Sequence, residues 1–347
     1  MIGWYAHHHG RGHLQRAAAV LDHMPGDATV LSSATVPPGL LPDGVGVLPL
    51  ARDDDEVGDG TGPIDPTAHG MLHWAPLRHP GHRERMARIA GWLEATDARA
   101  LVVDVSVEVT LLGRLLGTPV VATAMPGRRP DPAHALGHTA PAALLAAWPD
   151  WVPAAPHLSD HTARLHRVGG ISRFAGRARP ATSDDRTRVV ILGGAGGSAA
   201  PAGYWAAAAA QIAGSGRGRA GPEVTIMGGT DGEWVDDPWP LLCGADLVVT
   251  HAGQNAVADV AAAGVPAVVI PEPRPFDEQR ATADILRTAG LAVVVDTLPA
   301  PGGWPALVAA VLGSSTGDPA RARENWGRWQ VDGAAARAAA VVAEVAR

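Results

Sequence analysis

The sequence predicts an α/β protein with two doubly wound, Rossmann-like domains, each built on a parallel sheet. Short apolar runs alternate with Ala- and Leu-rich helical stretches along the chain, which is the pattern of parallel strands joined by crossover helices. This alternation begins a second time near residue 188, after a stretch without apolar periodicity. The length of 347 residues also favours two domains, at roughly 150 residues for each.

The first half contains the elements expected of one such domain, over residues 1–170. Strands are predicted where apolar runs are bounded by turn residues, at Ile2–Ala6, Thr29–Ser32, Val45–Leu50, Leu101–Val105 and Val120–Ala124. Helices are predicted in the Ala- and Leu-rich stretches between them, near Leu14–His23, Arg83–Ala95, Val107–Leu116 and Pro132–Ala147.

The second half repeats the plan over residues 188–331. Its strands are predicted at Arg188–Leu192, Val224–Met227, Leu247–Thr250, Ala267–Ile270 and Ala292–Val295. Its helices are predicted near Gly203–Ala213, Asn255–Ala263, Glu278–Ala289 and Pro305–Leu312. Residues 171–187 are rich in Arg, Ser and Pro and are predicted to be a linker. The amphipathic helix over residues 332–347 is expected to pack back on the first domain. Two such domains facing each other would leave a cleft at the carboxyl ends of their strands.

Composition excludes several classes of function. The formal charge of −7 and the absence of basic runs argue against a nucleic-acid partner. The single cysteine, Cys243, excludes an intrachain disulfide and a multi-cysteine metal site. No apolar run is long enough to span a membrane, and the first ten residues are too polar for a signal peptide. We therefore expect a cytoplasmic protein, with peripheral membrane contact left open.

The most informative motif follows the predicted strand Leu247–Thr250. His251 and Gly253 come directly after it, and a helix is predicted to begin near Asn255. The start of a helix offers unpaired N–H groups and about half a positive charge, which suits a phosphate. Asp259 lies one turn later on the same face. This spacing fits a carboxylate on the ribose and a helix start on the diphosphate.

The pattern T-H-x-G-x-N-x-x-x-(D/E), followed by G-V-P and (D/E)-Q, resembles the donor-binding signature of GT-B glycosyltransferases that use nucleotide sugars. It is similar to plant-type and antibiotic-type transferases, and to the transferase that adds GlcNAc to a lipid-linked peptidoglycan precursor. The resemblance implies that His251, Gly253 and Asn255 contact the diphosphate. It also implies that Asp259 contacts the ribose, and that Glu278 and Gln279 contact the sugar. By the same resemblance, residues 1–170 are expected to be the acceptor-binding domain and residues 188–331 the donor-binding domain.

The same resemblance places a tryptophan on the nucleotide base. Trp234 lies 17 residues before His251 and is the preferred candidate, with Trp239 as the second. The chain departs from the family pattern at three points. Asp259 replaces a Glu, Ala256 replaces a Ser, and the stretch 271–279 is longer by about three residues. An ordinary βαβ unit, in which Gly and Pro only mark turns, is the alternative interpretation.

The loop after Ile2–Ala6 carries a second resemblance to this family. Its Gly12-His13 pair is similar to the loop in which the transferases place a general base, and a neutral imidazole suits that task at pH 7. Asp104, at the end of Leu101–Val105, matches the Asp that orients the base. Gly12, together with Gly194 and Gly196 of the run 193–198, is expected to form a phosphate loop. A tight turn before a helix explains that run equally well.

Other polar clusters are interpreted without a metal. The acidic run 53–56 is expected to be a solvated loop, and the irregular spacing of His69, His73, His79 and His82 does not fit a zinc site. One of His7, His8 and His9 is expected to line the acceptor pocket. Glu108 is interpreted as an acceptor contact or as a buried salt-bridge partner.

These observations predict an inverting, metal-independent hexosyltransferase without a cofactor. It would move a sugar from a UDP- or dTDP-sugar to a hydroxyl of a small-molecule or lipid-linked acceptor. Two alternatives stay open. Gly12–Arg16 is similar to the G-H-x-x-R of nucleotide-sugar hydrolases, and a non-catalytic partner that binds nucleotide sugars would keep the same donor motif.

Overall fold

The computed structural model describes residues 1–8, 11–24, 26–55, 62–180, 186–194, 196–216 and 221–347. The chain divides into two compact units. The first comprises Met1–Val168 together with Ala335–Arg347, and the second comprises Gly169–Ala334. None of the helices among the described residues is long and apolar enough to cross a membrane.

The first unit contains a seven-stranded parallel sheet with the order β3-β2-β1-β4-β5-β6-β7. Its strands are β1 (Ile2–Ala6), β2 (Ala28–Ser32), β3 (Gly46–Pro49), β4 (Ala100–Asp104), β5 (Val120–Ala124), β6 (Ala143–Ala146) and β7 (Leu165–Arg167). Its helices are α1 (Gly12–Leu21), α2 (Pro80–Thr96), α3 (Val107–Leu115) and α4 (Pro132–Thr139), with a 3-10 helix at Pro156–Arg164. The central strands β1, β4 and β5 are buried along their whole length, as continuous apolar runs of parallel sheets are.

One predicted element of this unit is wrong. The helix expected over Pro132–Ala147 ends at Thr139, and Ala143–Ala146 instead forms the fully buried strand β6. Pro141 follows the end of α4 and cannot continue its hydrogen-bonding pattern. A four-residue apolar run is compatible with either a helix or a strand, and here pairing with β5 makes it a strand.

The second unit contains a five-stranded parallel sheet with the order β12-β11-β10-β8-β9. Its strands are β8 (Arg188–Leu192), β9 (Glu223–Met227), β10 (Leu247–Thr250), β11 (Ala267–Val269) and β12 (Val293–Val294). Its helices are α5 (Tyr204–Ala213), α6 (Trp239–Gly244), α7 (Gln254–Ala263), α8 (Glu278–Thr288), α9 (Trp304–Leu312) and α10 (Pro319–Gly327). Two parallel sheets with helices between their strands confirm the predicted α/β fold class.

The stretch that was predicted to begin a linker packs inside the second unit. Ile171, Ser172 and Phe174 are buried, and the Phe174 ring stacks on the Trp239 ring with 5.1 Å between centroids. Its apolar residues are too few to form a period, so the sequence pattern does not reveal this burial. At the other end of the chain, α11 (Ala334–Val345) groups almost entirely with the first unit, where Arg337 Nε donates to the carbonyl of Val168 at 2.9 Å.

Candidate active site

A histidine and an aspartate meet at the carboxyl edge of the first sheet. The register of β1 and β4 pairs Ala6 with Asp104, so the loop after β1 and the end of β4 are neighbours. His13, in the first turn of α1, places its Nδ1 3.1 Å from Asp104 Oδ2. Asp104 is fully buried, whereas the His13 side chain is 17% exposed. The structure therefore brings together the two residues that the sequence predicted as base and orienting acid.

Two further side chains fix the Asp104 carboxylate. Arg16 Nη1 donates to Oδ1 at 2.8 Å, and the Thr123 hydroxyl donates to the same oxygen at 2.9 Å. Burial alone would raise the pKa of Asp104, but the charges of Arg16 and His13 and the hydrogen bonds to it hold that pKa far below its usual value. The carboxylate is therefore ionised throughout the pH range of ordinary assays.

This network sets the tautomer of His13. An ionised carboxylate can only accept hydrogen bonds, so the imidazole proton is required on Nδ1, which faces Asp104. The lone pair is then on Nε2. The sequence identified Arg16 only through a hydrolase-like pattern. Its position three residues after His13 places both side chains on one helix face, against the same carboxylate.

A cavity of about 250 Å³ lies beside this network in the first unit. Its lining includes Tyr5, His7 and His8 from the end of β1, and Glu108 from α3. The His7 and His13 rings are 6.0 Å apart between centroids. Of the three histidines proposed to line an acceptor pocket, His7 and His8 line this cavity, and His9 lies outside the described residues.

Within the acidic stretch 53–56, Asp54 and Asp55 are exposed, as expected of a solvated loop, whereas Asp53 is buried. Asp53 and Asp54 line the cavity; Asp53 Oδ1 is 3.0 Å from Nη2 of the buried Arg85, and Asp54 Oδ2 is 3.0 Å from His8 Nε2. Arg85, on α2, supplies the charge that permits the burial of Asp53, and no local pattern in the sequence indicates this pairing. Glu56 lies outside the described residues.

Glu108 contacts the loop that precedes α2. Its Oε1 accepts hydrogen bonds from the backbone N–H groups of His73 at 2.8 Å and Trp74 at 3.0 Å. Oε2 accepts from the Ser106 hydroxyl at 3.0 Å. Neither of the predicted roles, acceptor contact or salt bridge, describes these bonds. Glu108 holds one wall of the cavity.

His73, Asp131 and His134 form a cluster near α4. Asp131 Oδ1 is 3.1 Å from His73 Nε2, and Asp131 Oδ2 is 2.7 Å from His134 Nδ1. Two imidazoles and a carboxylate are a suitable donor set for a divalent metal. However, Arg129 Nη1 lies 3.1 Å from His134 Nε2. A neutral imidazole that accepts from Arg129 must hold its proton on Nδ1, so this nitrogen is not a free ligand.

Two histidines of this region are expected to make stability fall in acid. Burial lowers the pKa of His134 to about 4 and the pKa of His138 to about 3. The charges of neighbouring histidines contribute to the lowered pKa of His138. An unfolded histidine has a pKa near 6.5, so between these values the unfolded state binds more protons. We expect the free energy of unfolding to fall below pH 6.5, by up to about 1.4 kcal/mol per pH unit for each histidine.

Urea unfolding at pH 7 and pH 5 measures this dependence. His138→Leu should reduce the slope, because a buried apolar side chain has no proton to take up. His69→Leu is the matched control, since the His69 side chain is 92% exposed. The explanation is wrong if both variants keep the slope of the wild type.

The donor motif occupies the carboxyl edge of the second sheet. Thr250, the last residue of β10, pairs with Leu192 and Val269, so the loops after β8, β10 and β11 leave the sheet at one edge. Helix α7 begins at Gln254 with Gly253 as its N-cap, which places Asn255 in the first turn. The β10–α7 connection is thus a strand, a three-residue turn and a helix start directed at one pocket.

His251 is held as a neutral hydrogen-bond donor. Its Nδ1 accepts the N–H of Gly253 at 2.9 Å, which leaves the proton on Nε2. Burial, with a smaller effect of the Arg274 charge, lowers the pKa of His251 to about 4. A Cβ at Gly194 would collide with Nε2, and one at Gly253 would lie 2.5 Å from the Cε1 atom of the ring. Both glycines are therefore required by the imidazole between them.

Hydrogen bonds join the glycine run after β8 to the loop after β11. Glu272 accepts hydrogen bonds from the Ser198 hydroxyl at 2.8 Å and from the N–H of Ala199 at 2.7 Å. Arg274 Nη2 donates to the carbonyl of Gly197 at 2.7 Å. Gly194, His251 and Glu272 line one pocket, and Gly196 lies beside the Arg274 guanidinium. The sequence analysis missed Glu272 and Arg274, which lie in the lengthened stretch 271–279.

Gln279 joins the two loops that carry the motif. Helix α8 begins at Glu278, and the buried Gln279 accepts, through Oε1, the N–H groups of Ala252 at 3.0 Å and Glu272 at 2.9 Å. Its carbonyl end therefore holds the loops in place. If Gln279 contacts the sugar, as expected, it would do so through its amide nitrogen. The half-buried Glu278 would do so through its carboxylate.

The two candidate tryptophans differ in exposure. Trp234 is 44% exposed and donates through Nε1 to Asp236 at 3.0 Å. Trp239 is buried in the core of the second unit and donates to the carbonyl of Ala178 at 2.9 Å. Of the two candidates, Trp234 therefore has the exposed ring that stacking on a base would require.

The Asp259 side chain is buried, whereas a carboxylate that contacts ribose from a helix surface would be exposed. The Ser172 hydroxyl donates to its Oδ1 at 2.6 Å, and Arg173 Nε lies 4.0 Å from its Oδ2. Burial raises the pKa of Asp259 to about 6, although the hydrogen bond from Ser172 and the charge of Arg173 oppose this. Ser172 lies in the stretch predicted as a linker, so no sequence pattern indicated this bond.

Residues 235–303 match the family model described as the glycosyltransferase family 28 C-terminal domain. Two curated relatives are UDP-N-acetylglucosamine–N-acetylmuramyl-(pentapeptide) pyrophosphoryl-undecaprenol N-acetylglucosamine transferases. That of Halorhodospira halophila is 32% identical over 205 residues, which are 53% of this chain and 54% of the relative. That of Paenarthrobacter aurescens is 34% identical over 146 residues, 37% of this chain and 39% of the relative. The matches thus span about two fifths to about half of these relatives' lengths.

Solved structures resemble the whole chain. Acinetobacter baumannii MurG has a TM-score of 0.63 at 17% identity, covering 99% of both chains. The kitacinnamycin glycosyltransferase reaches 0.69 at 15% identity, and the calicheamicin glycosyltransferase CalG4 reaches 0.66 at 19%; each match covers 99% of this chain and 98% of the other. At these identities the likeness shows the fold, which is GT-B. With the family match, it confirms the resemblance that the motifs indicated.

Proposed function

We propose that this chain, which has the GT-B fold and carries a glycosyltransferase family 28 C-terminal domain over residues 235–303, transfers a sugar from a nucleotide diphosphate to an acceptor hydroxyl. The observation that carries the proposal is the His13–Asp104 pair with its supporting Arg16 and Thr123. A fully buried, ionised carboxylate behind a partly exposed imidazole is the arrangement of an oriented general base. Metal-independent transfer with inversion is the reaction that these residues support best.

The chemical step follows from the tautomer of His13. The acceptor oxygen attacks the anomeric carbon while its proton passes to Nε2 of His13. The bond between that carbon and the β-phosphate oxygen breaks, and its electron pair leaves with the nucleoside diphosphate. Asp104 stabilises the imidazolium that forms, as an ionised carboxylate on Nδ1–H does in other His–Asp pairs. A single displacement of this kind inverts the anomeric configuration.

The leaving diphosphate is assigned to the β10–α7 connection. The N–H groups of the first turn of α7 and the Nε2–H of His251 are hydrogen-bond donors suited to phosphate oxygens. We propose Gly12 and Gly196 as further backbone contacts to phosphate or acceptor, and Gly194 as the residue that leaves room for His251. Trp234 would stack on the base, and Glu278 with the amide of Gln279 would contact the sugar.

Two measurements test this function. A thermal-shift panel of nucleoside diphosphates identifies the donor class, because a ligand at 100 times its dissociation constant adds about 2.7 kcal/mol of stability. A time course with the cognate UDP- or dTDP-sugar alone, with and without EDTA, then separates transfer from hydrolysis. Full-rate release of free sugar without an acceptor would favour the hydrolase. Activity abolished by EDTA and restored by Mg²⁺ would overturn metal independence.

The hydrolase alternative gains nothing from the G-H-x-x-R pattern. Arg16, the last residue of the pattern, is used to hold Asp104, and that role serves a transferase and a hydrolase equally. The acceptor is proposed to be a small molecule or a lipid-linked precursor, the latter because of the curated relatives. A cytoplasmic enzyme, with contact to the membrane surface if the acceptor is lipid-linked, fits this proposal.

Asp259 supplies a test of nucleotide binding. If its carboxylate accepts a ribose hydroxyl, Asp259→Asn should weaken UDP or dTDP binding by about 1.5–3 kcal/mol, the cost of a charged hydrogen bond. Binding of inorganic pyrophosphate, which has no ribose, should stay unchanged. Calorimetry with both ligands measures the difference, and Ser172→Ala is the matched control because it removes the internal partner of Asp259. Equal losses for both ligands would show that Asp259 only supports helix α7.

A further inference from the structure

The loop after β11 places a guanidinium beside the proposed donor pocket. Arg274 Nη2 donates to the carbonyl of Gly197 at 2.7 Å, and Nη1 donates weakly to the carbonyl of Pro273 at 3.3 Å. Among the described residues, no carboxylate forms an ion pair with Arg274. These hydrogen bonds of Arg274 are thus made to two backbone carbonyl groups.

This guanidinium lies against the glycine run that the His251 ring also contacts. A Cβ at Gly196 would be 3.5 Å from Arg274 Nη2, and a Cβ at Gly194 would collide with His251 Nε2. The Arg274 charge also contributes to the lowered pKa of His251. Glu272, two residues earlier, uses its carboxylate oxygens on Ser198 and Ala199. Arg274 and His251 thus both lie beside this one short backbone segment.

The charge balance of the pocket favours a cation at the position of Arg274. A nucleoside diphosphate carries at least two negative charges, and the start of α7 offers about half a positive charge. His251 is a neutral donor, because Nδ1 is occupied by Gly253 N–H. Arg presents a planar fork of donors that matches phosphate oxygens, and exchanging a carbonyl for a phosphate strengthens its hydrogen bonds.

We propose that Arg274 binds the β-phosphate of the donor, exchanging its hydrogen bond to Gly197 for phosphate oxygens, and that it stabilises the leaving nucleoside diphosphate. This rests on the proposed function. Arg274, in the lengthened stretch 271–279, would then supply the positive charge of the site. The other donors proposed there are backbone N–H groups and the neutral His251 imidazole.

Calorimetry on Arg274→Gln and Arg274→Lys tests the proposal with three probes: UDP or dTDP, the corresponding monophosphate, and inorganic pyrophosphate. Arg274→Gln should weaken binding of the diphosphate and of pyrophosphate about 10- to 100-fold, the range for a lost charged hydrogen bond. Monophosphate affinity should stay unchanged, and Arg274→Lys should recover part of the loss. Arg280→Gln is the matched control, because Arg280 is an exposed arginine of α8. This variant should bind all three probes with the affinity of the wild type.

Wild-type affinity of Arg274→Gln for UDP, dTDP and pyrophosphate would overturn the proposal and leave the proposed function intact. The same holds if Arg274→Gln keeps its diphosphate affinity but loses turnover only with a uronic-acid donor, because the guanidinium would then bind a sugar carboxylate. If the wild type binds none of the diphosphates or pyrophosphate, both proposals fall together. Melting temperatures of the variants separate lost binding from lost folding.

Discussion

Replacing His13 by alanine is expected to lower turnover at least a hundredfold, the usual contribution of a positioned general base. Affinity for the nucleoside diphosphate should stay unchanged, because the side chains assigned to the diphosphate are in the second unit and Gly12 would contact phosphate only through its backbone. Loss of the base slows the step in which the acceptor proton is transferred and leaves donor binding to the other residues. Steady-state kinetics together with calorimetry on the nucleoside diphosphate separate these two effects.

His7→Ala is the matched control for this experiment. His7 lines the cavity beside the His13–Asp104 network, and its ring is 6.0 Å from that of His13. We expect this variant to change the KM for the acceptor more than kcat. An unchanged turnover number in His13→Ala would remove His13 from the mechanism, whatever the result for His7.

The resemblance to the transferases predicted the His13–Asp104 pair, and the positions of the two residues in the local pattern agree with it. Each residue follows or ends an apolar run, and parallel strands that neighbour in the sheet bring such positions to one edge. The support of Asp104 by Thr123 was not predictable in this way. That bond depends on β5 lying next to β4, and no local pattern indicates which strands are neighbours.

In the second unit, too, a local pattern predicts some features of the site, whereas contacts between distant residues are not predicted. Gly253 and the start of α7 follow from a strand–turn–helix pattern within ten residues. The bonds of Gln279 to Ala252, and of Ser172 to Asp259, join residues 27 and 87 positions apart. Polar residues at such separations pair because burial without a partner is costly. A single sequence shows the residue type but not its partner.

Asp104→Asn is the second variant with a large expected effect, and it tests the orienting role directly. If the amide NH₂ faces His13, the imidazole must accept at Nδ1, and its proton moves to Nε2, where a base needs a lone pair. If the amide oxygen faces His13, the NH₂ meets the donors of Arg16 and Thr123. The second arrangement is disfavoured because donors would face donors, and the first removes the base, so turnover should fall on the order of 10³- to 10⁴-fold.

The same substitution leaves the buried Arg16 without its anion, which should cost about 3–5 kcal/mol of stability. Adding Arg16→Gln removes that unpaired charge, so the double variant Asp104→Asn/Arg16→Gln should regain melting temperature without regaining turnover. Urea unfolding and steady-state kinetics on the single and double variants separate the two roles of Asp104. Wild-type turnover in a refolded double variant would mean that Asp104 only neutralises Arg16, and His13 would then act without an orienting carboxylate.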